Sequence, residues 1–342
     1  MRRDRERFRW WKGDRSRRET AERLPAGGGP AASLTEAIAA HERLVGYLVS
    51  ATAAEQAVLR ELYQSAALDE LIGVPVPTAP VGAAGRPAGA PADLEARLLG
   101  PFEVSCRGRV MPPWPSQRAA SLLKFLLLNH GRTVRREVLM DAFWPGSSTK
   151  SARNNLNVTV YQLRQQLRAH DPGRTHVVYN AGSYRMDPKL HCRTDVDEYA
   201  RSVARGHRAV DSGDRLAAVS WYREATRLYA GPLLEDDTSG DWYTATQRQL
   251  HFEHCAVLER LCALLLERGE IDEAVTVGDQ LLRTDPCRET GHQLLMRAYG
   301  ALDQPHLIVQ QFRRCEATLR RELSVELSEA TVELYQALLT GR

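Results

Sequence analysis

Between Ser151 and Arg168 the chain reads SARNNLNVTVYQLRQQLR. Leu156, Val160, Leu163 and Leu167 recur at i, i+4, i+7 and i+11, which is one apolar stripe of a helix. At about 100° per residue, the opposite face carries Asn154, Val158, Tyr161, Gln162 and Gln165, with Arg153, Asn157 and Arg164 flanking it. Asn and Gln can form paired hydrogen bonds to an adenine edge, and Arg holds phosphate oxygens. Amides and guanidiniums on the solvent side of one helix therefore suit a base-paired polyanion. An amphipathic helix with a plain polar outer face is the other reading of the same residues.

The neighbouring segments supply a frame for such a helix. RLLGPFEVSCRGRV, at 97–110, reads as strands with Gly-Pro and Arg-Gly turns. Ser116 opens a helix through Leu122, Leu123, Leu126 and Leu127, and Asn129-His130-Gly131 stops it. Thr133-Val134 is a short extended piece, and a second helix runs from Arg135 to Phe143, ended by Trp144-Pro145-Gly146. His176–Tyr179 and Tyr184–Met186 alternate around Asn180-Ala-Gly-Ser183, a hairpin signal.

Charge is partitioned along the 342 residues. The net is only +3, but residues 94–190 carry fifteen basic and six acidic side chains, a net of +9, and residues 191–342 carry −7. Residues 1–24 are again basic, at +5, and 25–93 acidic, at −4. A compact cationic segment beside an anionic one implies a polyanion-binding module joined to a module with another task. No run reaches the ~18–20 apolar residues that span a bilayer, and no apolar stretch follows the Arg-rich start, so neither a membrane protein nor a secretory leader is expected. The six cysteines form no CxxC pair and read as reduced cytoplasmic thiols.

Outside the basic segment, residues 1–30 read as a basic arm. Residues 31–72 read as accessory helices with capping boxes at Ser33-x-x-Glu36 and Thr52-x-x-Glu55. Residues 73–93 are a Pro/Gly/Ala linker. From 191 onward the pattern is helical. Leu216, Ala217, Ala218, Trp221, Tyr222, Ala225 and Leu228 have tetratricopeptide-like spacing; helix pairs follow at 250–266 with 271–283 and 289–301 with 305–322, and a last helix covers 328–339. The expected fold is mainly α with a small β component: a winged helix-turn-helix domain at 94–190, an all-α repeat domain at 191–342, and an N-terminal helical extension.

LLKFLLLNHGRTVRREVLMDAFWP, LNVTVYQLRQQL and SYRM resemble the Streptomyces antibiotic regulatory protein family. VDEYA, LYAGPLLED, ERGEIDEAV, LLRTDP, LLMRAYGAL and LRRELSVELS resemble the bacterial transcriptional activation domain that follows the winged helix in that family. The resemblance covers about 94–342 and departs from the family pattern where Asn157, Thr159 and Gln162 replace a more Arg- and His-rich third helix, at Ser183 in place of a wing glycine, and at Leu327 in place of proline. It implies a cytoplasmic, nucleoid-associated transcriptional activator that binds double-stranded DNA at promoter direct repeats as a head-to-tail homodimer. It also implies recruitment of RNA polymerase with its principal sigma factor, at genes of secondary metabolism. The expected DNA-contacting residues are Lys150, Arg153, Asn154, Asn157, Val158, Thr159, Tyr161, Gln162, Arg164, Arg168, Ser183 and Arg185. An interaction scaffold and a ligand-responsive sensor, each with weak sequence readout, stay open beside this reading.

Catalytic chemistry finds little support. The chain has no GxxxxGK[ST] phosphate loop and no arguable Ser/His/Asp set, so no enzyme activity and no cofactor are expected. His251-x-x-His254-Cys255 has ligand-type residues at helical spacing, but a helix face in a repeat array is the expected role, so no metal is expected. Cys255 and Cys262 stand two turns apart, ~10 Å and beyond disulfide reach, and are expected in the core.

Overall fold

A computed structural model describes residues 92–237 and 240–340; the expected arm, accessory helices and nearly all of the linker lie outside the described residues. Strands β1 (Leu94–Arg97), β2 (Glu103–Cys106) and β3 (Arg109–Val110) form an antiparallel meander, with Leu94 opposite Cys106 and Arg97 opposite Glu103. Arg107 and Gly108 close the β2–β3 hairpin with φ of 50° and 76°, the paired positive values of a two-residue turn whose twist matches the strands. Leu94, Ala96, Val104 and Cys106 point to one buried face.

Helix α1 (Gln117–Leu128) starts where the Ser116 hydroxyl accepts from the Ala119 amide at 3.3 Å. Strand β4 (Val134–Arg135) leads into α2 (Arg136–Phe143). Helix α3 (Thr149–His170) begins two residues before the Ser151 start read from the sequence, because Ser148 supplies the cap and accepts from the Ser151 amide at 3.3 Å. Its stripe of Leu156, Val160, Leu163 and Leu167 is buried. β5 (Val177–Asn180) and β6 (Ser183–Met186) form the wing, closed by Ala181 and Gly182 at φ 45° and 82°, with β4 on the other side of β6.

Strand β7 (Cys192–Thr194) has no counterpart among the sequence expectations. It pairs parallel to β1, Leu94 beside Cys192 and Ala96 beside Thr194, and completes a sheet of order β3-β2-β1-β7. Three residues, Cys-Arg-Thr, offer too short a run for alternation to show. β7 runs directly into α4 (Asp195–Asp211), where the Thr194 hydroxyl accepts from the Asp197 amide.

Helices α5 (Arg215–Leu228), α6 (Thr244–Arg268), α7 (Ile271–Thr284), α8 (Glu289–Ala301), α9 (Pro305–Glu322) and α10 (Glu329–Thr340) follow, each packed on its neighbour in sequence. The α4–α5 pair approaches closely because position 206 is glycine: a Cβ there would lie 2.5 Å from a ring carbon of Tyr222. Ala218, Tyr222 and Ala225 of the repeat-like stripe are fully buried, whereas Leu216 is exposed. Cys255 and Cys262 are buried free thiols. His254 lies in the interior, stacked on Tyr229 with ring centroids 3.8 Å apart. No helix among the described residues is long and apolar enough to cross a membrane.

The winged helix and the repeats share one core. Asp195 at the start of α4 accepts from the Leu98 and Leu99 amides at 2.8–2.9 Å. Leu98 returns its carbonyl to the Leu234 amide at 2.7 Å, and Gly100 donates to Pro232 at 3.0 Å. In α1, Lys124 reaches the Asp237 carboxylate at 3.0 Å and Ser121 donates to the same group at 2.9 Å, all three side chains being buried. Trp242 packs on Phe125 and Phe143 at centroid distances of 5.0 and 5.7 Å.

Removing one member of a buried pair strands the other charge. Asp237→Ala is expected to lower unfolding stability by about 3–5 kcal/mol in urea titrations, and adding Lys124→Met is expected to restore most of that loss. Burial holds the imidazoles of His207 and His254 down to about 4, from the ordinary 6.5. The folded state thus binds fewer protons than the unfolded state across that window, so stability is expected to fall as pH drops from about 6.5 through about 4. His254→Gln should flatten part of that slope in thermal melts against pH.

Candidate nucleic-acid interface

Helix α3 carries no acidic residue in its 22 positions, and Lys150, Arg153, Arg164 and Arg168 are spread along it. Its first turn therefore carries no acidic side chain, and the N-terminal amides beyond the one that Ser148 caps favour phosphate oxygens at that end. Lys150, Arg153, Asn154, Asn157, Val158, Tyr161, Gln162 and Arg168 are all exposed. Val158 is 57% and Tyr161 63% exposed, so both present apolar surface to solvent among the amides of this face. An apolar side chain between amides can meet a thymine methyl in a major groove.

Two residues do not take the places expected of them. Thr159 is buried at 5% exposure, and its hydroxyl donates to the Asn155 carbonyl at 2.8 Å. It stands one position before Val160 and three after Leu156, on the shoulder of the buried stripe, and the back-bond to its own helix lets a polar side chain stay there. Thr159 thus lies away from the exposed face. Arg164 turns its guanidinium onto the wing: Nε and Nη2 both donate to the Val177 carbonyl, at 3.2 and 3.0 Å. It fastens α3 to β5 rather than standing free.

Ser183 and Arg185 lie on β6, half-buried, with Ser183 opposite Arg135 and Asn180. The wing turn keeps a glycine, Gly182, at the position with φ of 82°, so Ser183 after it needs no left-handed backbone. The wing's tip residues Tyr179 and Asn180 are also exposed, as is Asn155 on α3, and all three lie outside the set expected from the sequence to contact DNA. Tyr179 lies against Tyr184 with centroids 4.7 Å apart. A cleft of about 310 Å³ runs between α3 and the wing, lined by Asn157, Tyr161, Gln165, Arg168 and Tyr184 among others. Gln165 donates to the Tyr161 hydroxyl at 2.9 Å along its floor.

Two family models match the chain: the C-terminal domain of transcriptional regulatory proteins over residues 114–186, and the bacterial transcriptional activator domain over 194–339. Among curated relatives, the transcriptional regulatory protein MoaR1 of Mycobacterium tuberculosis is 27% identical over 248 residues, covering 72% of this chain and 79% of its own. The regulatory protein DnrI of Streptomyces peucetius is 24% identical, over 72% of this chain and 92% of its own. The regulatory protein AfsR of Streptomyces coelicolor is 28% identical over 71% of this chain, which corresponds to 24% of that longer protein. Among solved structures, Mycobacterium tuberculosis EmbR, in complex with a low-affinity phosphopeptide, shares the fold with a TM-score of 0.63 at 22% identity, over 73% of this chain and 66% of that one.

Loss of the Arg164 tether should loosen the wing. In Arg164→Ala, amide hydrogen exchange across Val177–Met186 is expected to quicken while the central amides of α3 keep their protection. Unchanged exchange in the wing would show that the tether carries no stability.

Proposed function

The chain belongs to the Streptomyces antibiotic regulatory protein family of transcriptional regulators, and on that premise we propose that it activates promoters by docking α3 in the major groove of direct repeats. Two protomers bind head to tail, and the helical part recruits RNA polymerase with its principal sigma factor. The regulated genes are those of secondary metabolism, and the protein works in the cytoplasm, on the nucleoid when bound. The family consists of transcriptional regulators, not enzymes, and no catalytic step is assigned.

The observation that carries this reading is the acid-free outer face of α3, which presents Asn154, Val158 and Gln162 to solvent between cationic side chains. Asn154 and Gln162 are assigned to base edges, Val158 and Tyr161 to apolar contact in the groove. Lys150, Arg153, Asn157 and Arg168 are assigned to the backbone and groove rim, and Ser183 and Arg185 to the phosphates beside the wing. Arg164 acts through the wing it holds.

Deleting everything after Pro188 would not isolate the DNA-binding half, because it removes β7, Asp195 and Asp237, on which β1 and α1 rest. The test therefore uses the whole chain. Footprinting should show a protected pair of direct repeats, with a log–log salt slope of about −5 per protomer, or about −11 for the pair, if each protomer makes ~6 phosphate contacts. Gln162→Ala and Asn154→Ala are expected to lose ~1–3 kcal/mol of discrimination per good base contact. In a purified polymerase assay at saturating occupancy, a promoter with one repeat should fail to respond where two succeed. Diffuse protection without preferred repeats would overturn the activator reading in favour of an interaction scaffold.

A further inference from the structure

Cys106 at the end of β2, Asp171 at the C-terminus of α3 and His176 just before β5 converge in the interior of the winged helix. They are 65 and 70 residues apart in sequence from the cysteine, yet Sγ, a carboxylate oxygen and a ring nitrogen lie within 4.8 Å of one another. All three side chains are at least nine-tenths buried, at 3%, 4% and 3% exposure. Asp171 Oδ2 and His176 Nε2 are 3.7 Å apart, and neither makes a hydrogen bond. A buried imidazole nitrogen without a hydrogen bond, facing a carboxylate oxygen that only the longer ion pairs to Arg107 and Arg174 reach, is costly in a folded interior unless something completes it.

We propose that Cys106, Asp171 and His176 are three ligands of a divalent metal site of the zinc class, with water in a fourth position. The donor set of one sulfur, one nitrogen and one oxygen is of the type zinc accepts, and ligation at 2.0–2.3 Å brings donor atoms to about 3.3–3.6 Å apart, a closure of about 1 Å. Burial keeps the His176 imidazole neutral, the form that ligates, and keeps the Cys106 thiol protonated until an ion displaces that proton to solvent. The S–H bond breaks, the sulfur–metal bond forms, and one proton is released.

The surrounding charges accommodate the ion. Arg174 is held by Asp93 at 2.7 Å, and its Nε stands 3.9 Å from Asp171. Arg107 lies 3.4 Å from Asp171 but is half exposed on the β2–β3 turn, so it can swing into water. With Arg107 withdrawn, the carboxylates of Asp93 and Asp171 and the Cys106 thiolate together balance the ion and Arg174. The ion would then tie β2 to the end of α3 and to the root of the wing. Its effect on DNA affinity rests on the proposed function, whereas the site itself does not.

The test uses the full chain, stripped with chelator under reducing conditions and titrated with Co²⁺ in the absence of DNA. One equivalent should produce a sulfur-to-cobalt charge-transfer band that Zn²⁺ abolishes, and Zn²⁺ should raise the melting temperature. The band should vanish in Cys106→Ser and persist in Cys255→Ser, and His176→Gln should weaken metal affinity at least tenfold. If Cys106→Ser fails to fold, the wild-type spectrum and His176→Gln still decide. No band in the wild type, or a band surviving Cys106→Ser, overturns the proposal. Metal binding with unchanged DNA affinity would keep the site and remove its link to the groove.

Discussion

The position of the repeats on the winged helix depends on a buried ion pair. Lys124 sits in an otherwise leucine-rich helix, and its ammonium is enclosed against the face of Phe102 and the carboxylate of Asp237, which Ser121 also bonds. An ammonium in that interior is tolerated only with its partner in place, so α1 cannot complete its own core without the segment before Gly240. The carboxylate of Asp195 imposes the same dependence from the other side by capping the Leu98 and Leu99 amides. Polar groups rather than apolar area alone thus fix one register between the two parts. Trp242, wedged on Phe125 and Phe143, fills the space that this register leaves.

Local periodicity made α3, the wing and most helices of the repeats legible. Leu156, Val160, Leu163 and Leu167 define a face whatever surrounds them, and Ala181-Gly182 demands a tight turn. What stayed hidden depends on partners distant in the chain. Nothing in LLKFLLL says that its lysine is buried, because the aspartate that holds it lies 113 residues away. The same holds for β7, whose pairing among the described residues is with β1, where Cys192 meets Leu94 from the opposite end of the winged-helix sequence.

On the candidate site, spacing separated the two sides of α3 but not its shoulders. Residues 100° or more from the apolar stripe were placed correctly as exposed, Gln162 and Val158 among them. At the margin, side-chain chemistry decided: Thr159 could bury its hydroxyl by bonding back to Asn155, and Arg164 found a free carbonyl on the wing. Both are charged or polar residues that helical projection alone assigns to solvent. Cys106, Asp171 and His176 are a stronger case of the same limit, since each comes from a different element and none forms a local motif.

The shared core between winged helix and repeats has a consequence for promoter architecture. Because β7 enters α4 without an intervening coil and Asp237 is locked to α1, the helical part cannot rotate about the DNA-reading part. In the proposed complex, the azimuth of the repeats around the duplex is therefore set by the base pairs that α3 reads. With about 10–10.5 base pairs per helical turn, moving the binding site by five would carry the repeats to the opposite side of the DNA, and moving it by ten would bring them back. Spacing between operator and start site is then constrained by helical phase as well as by distance.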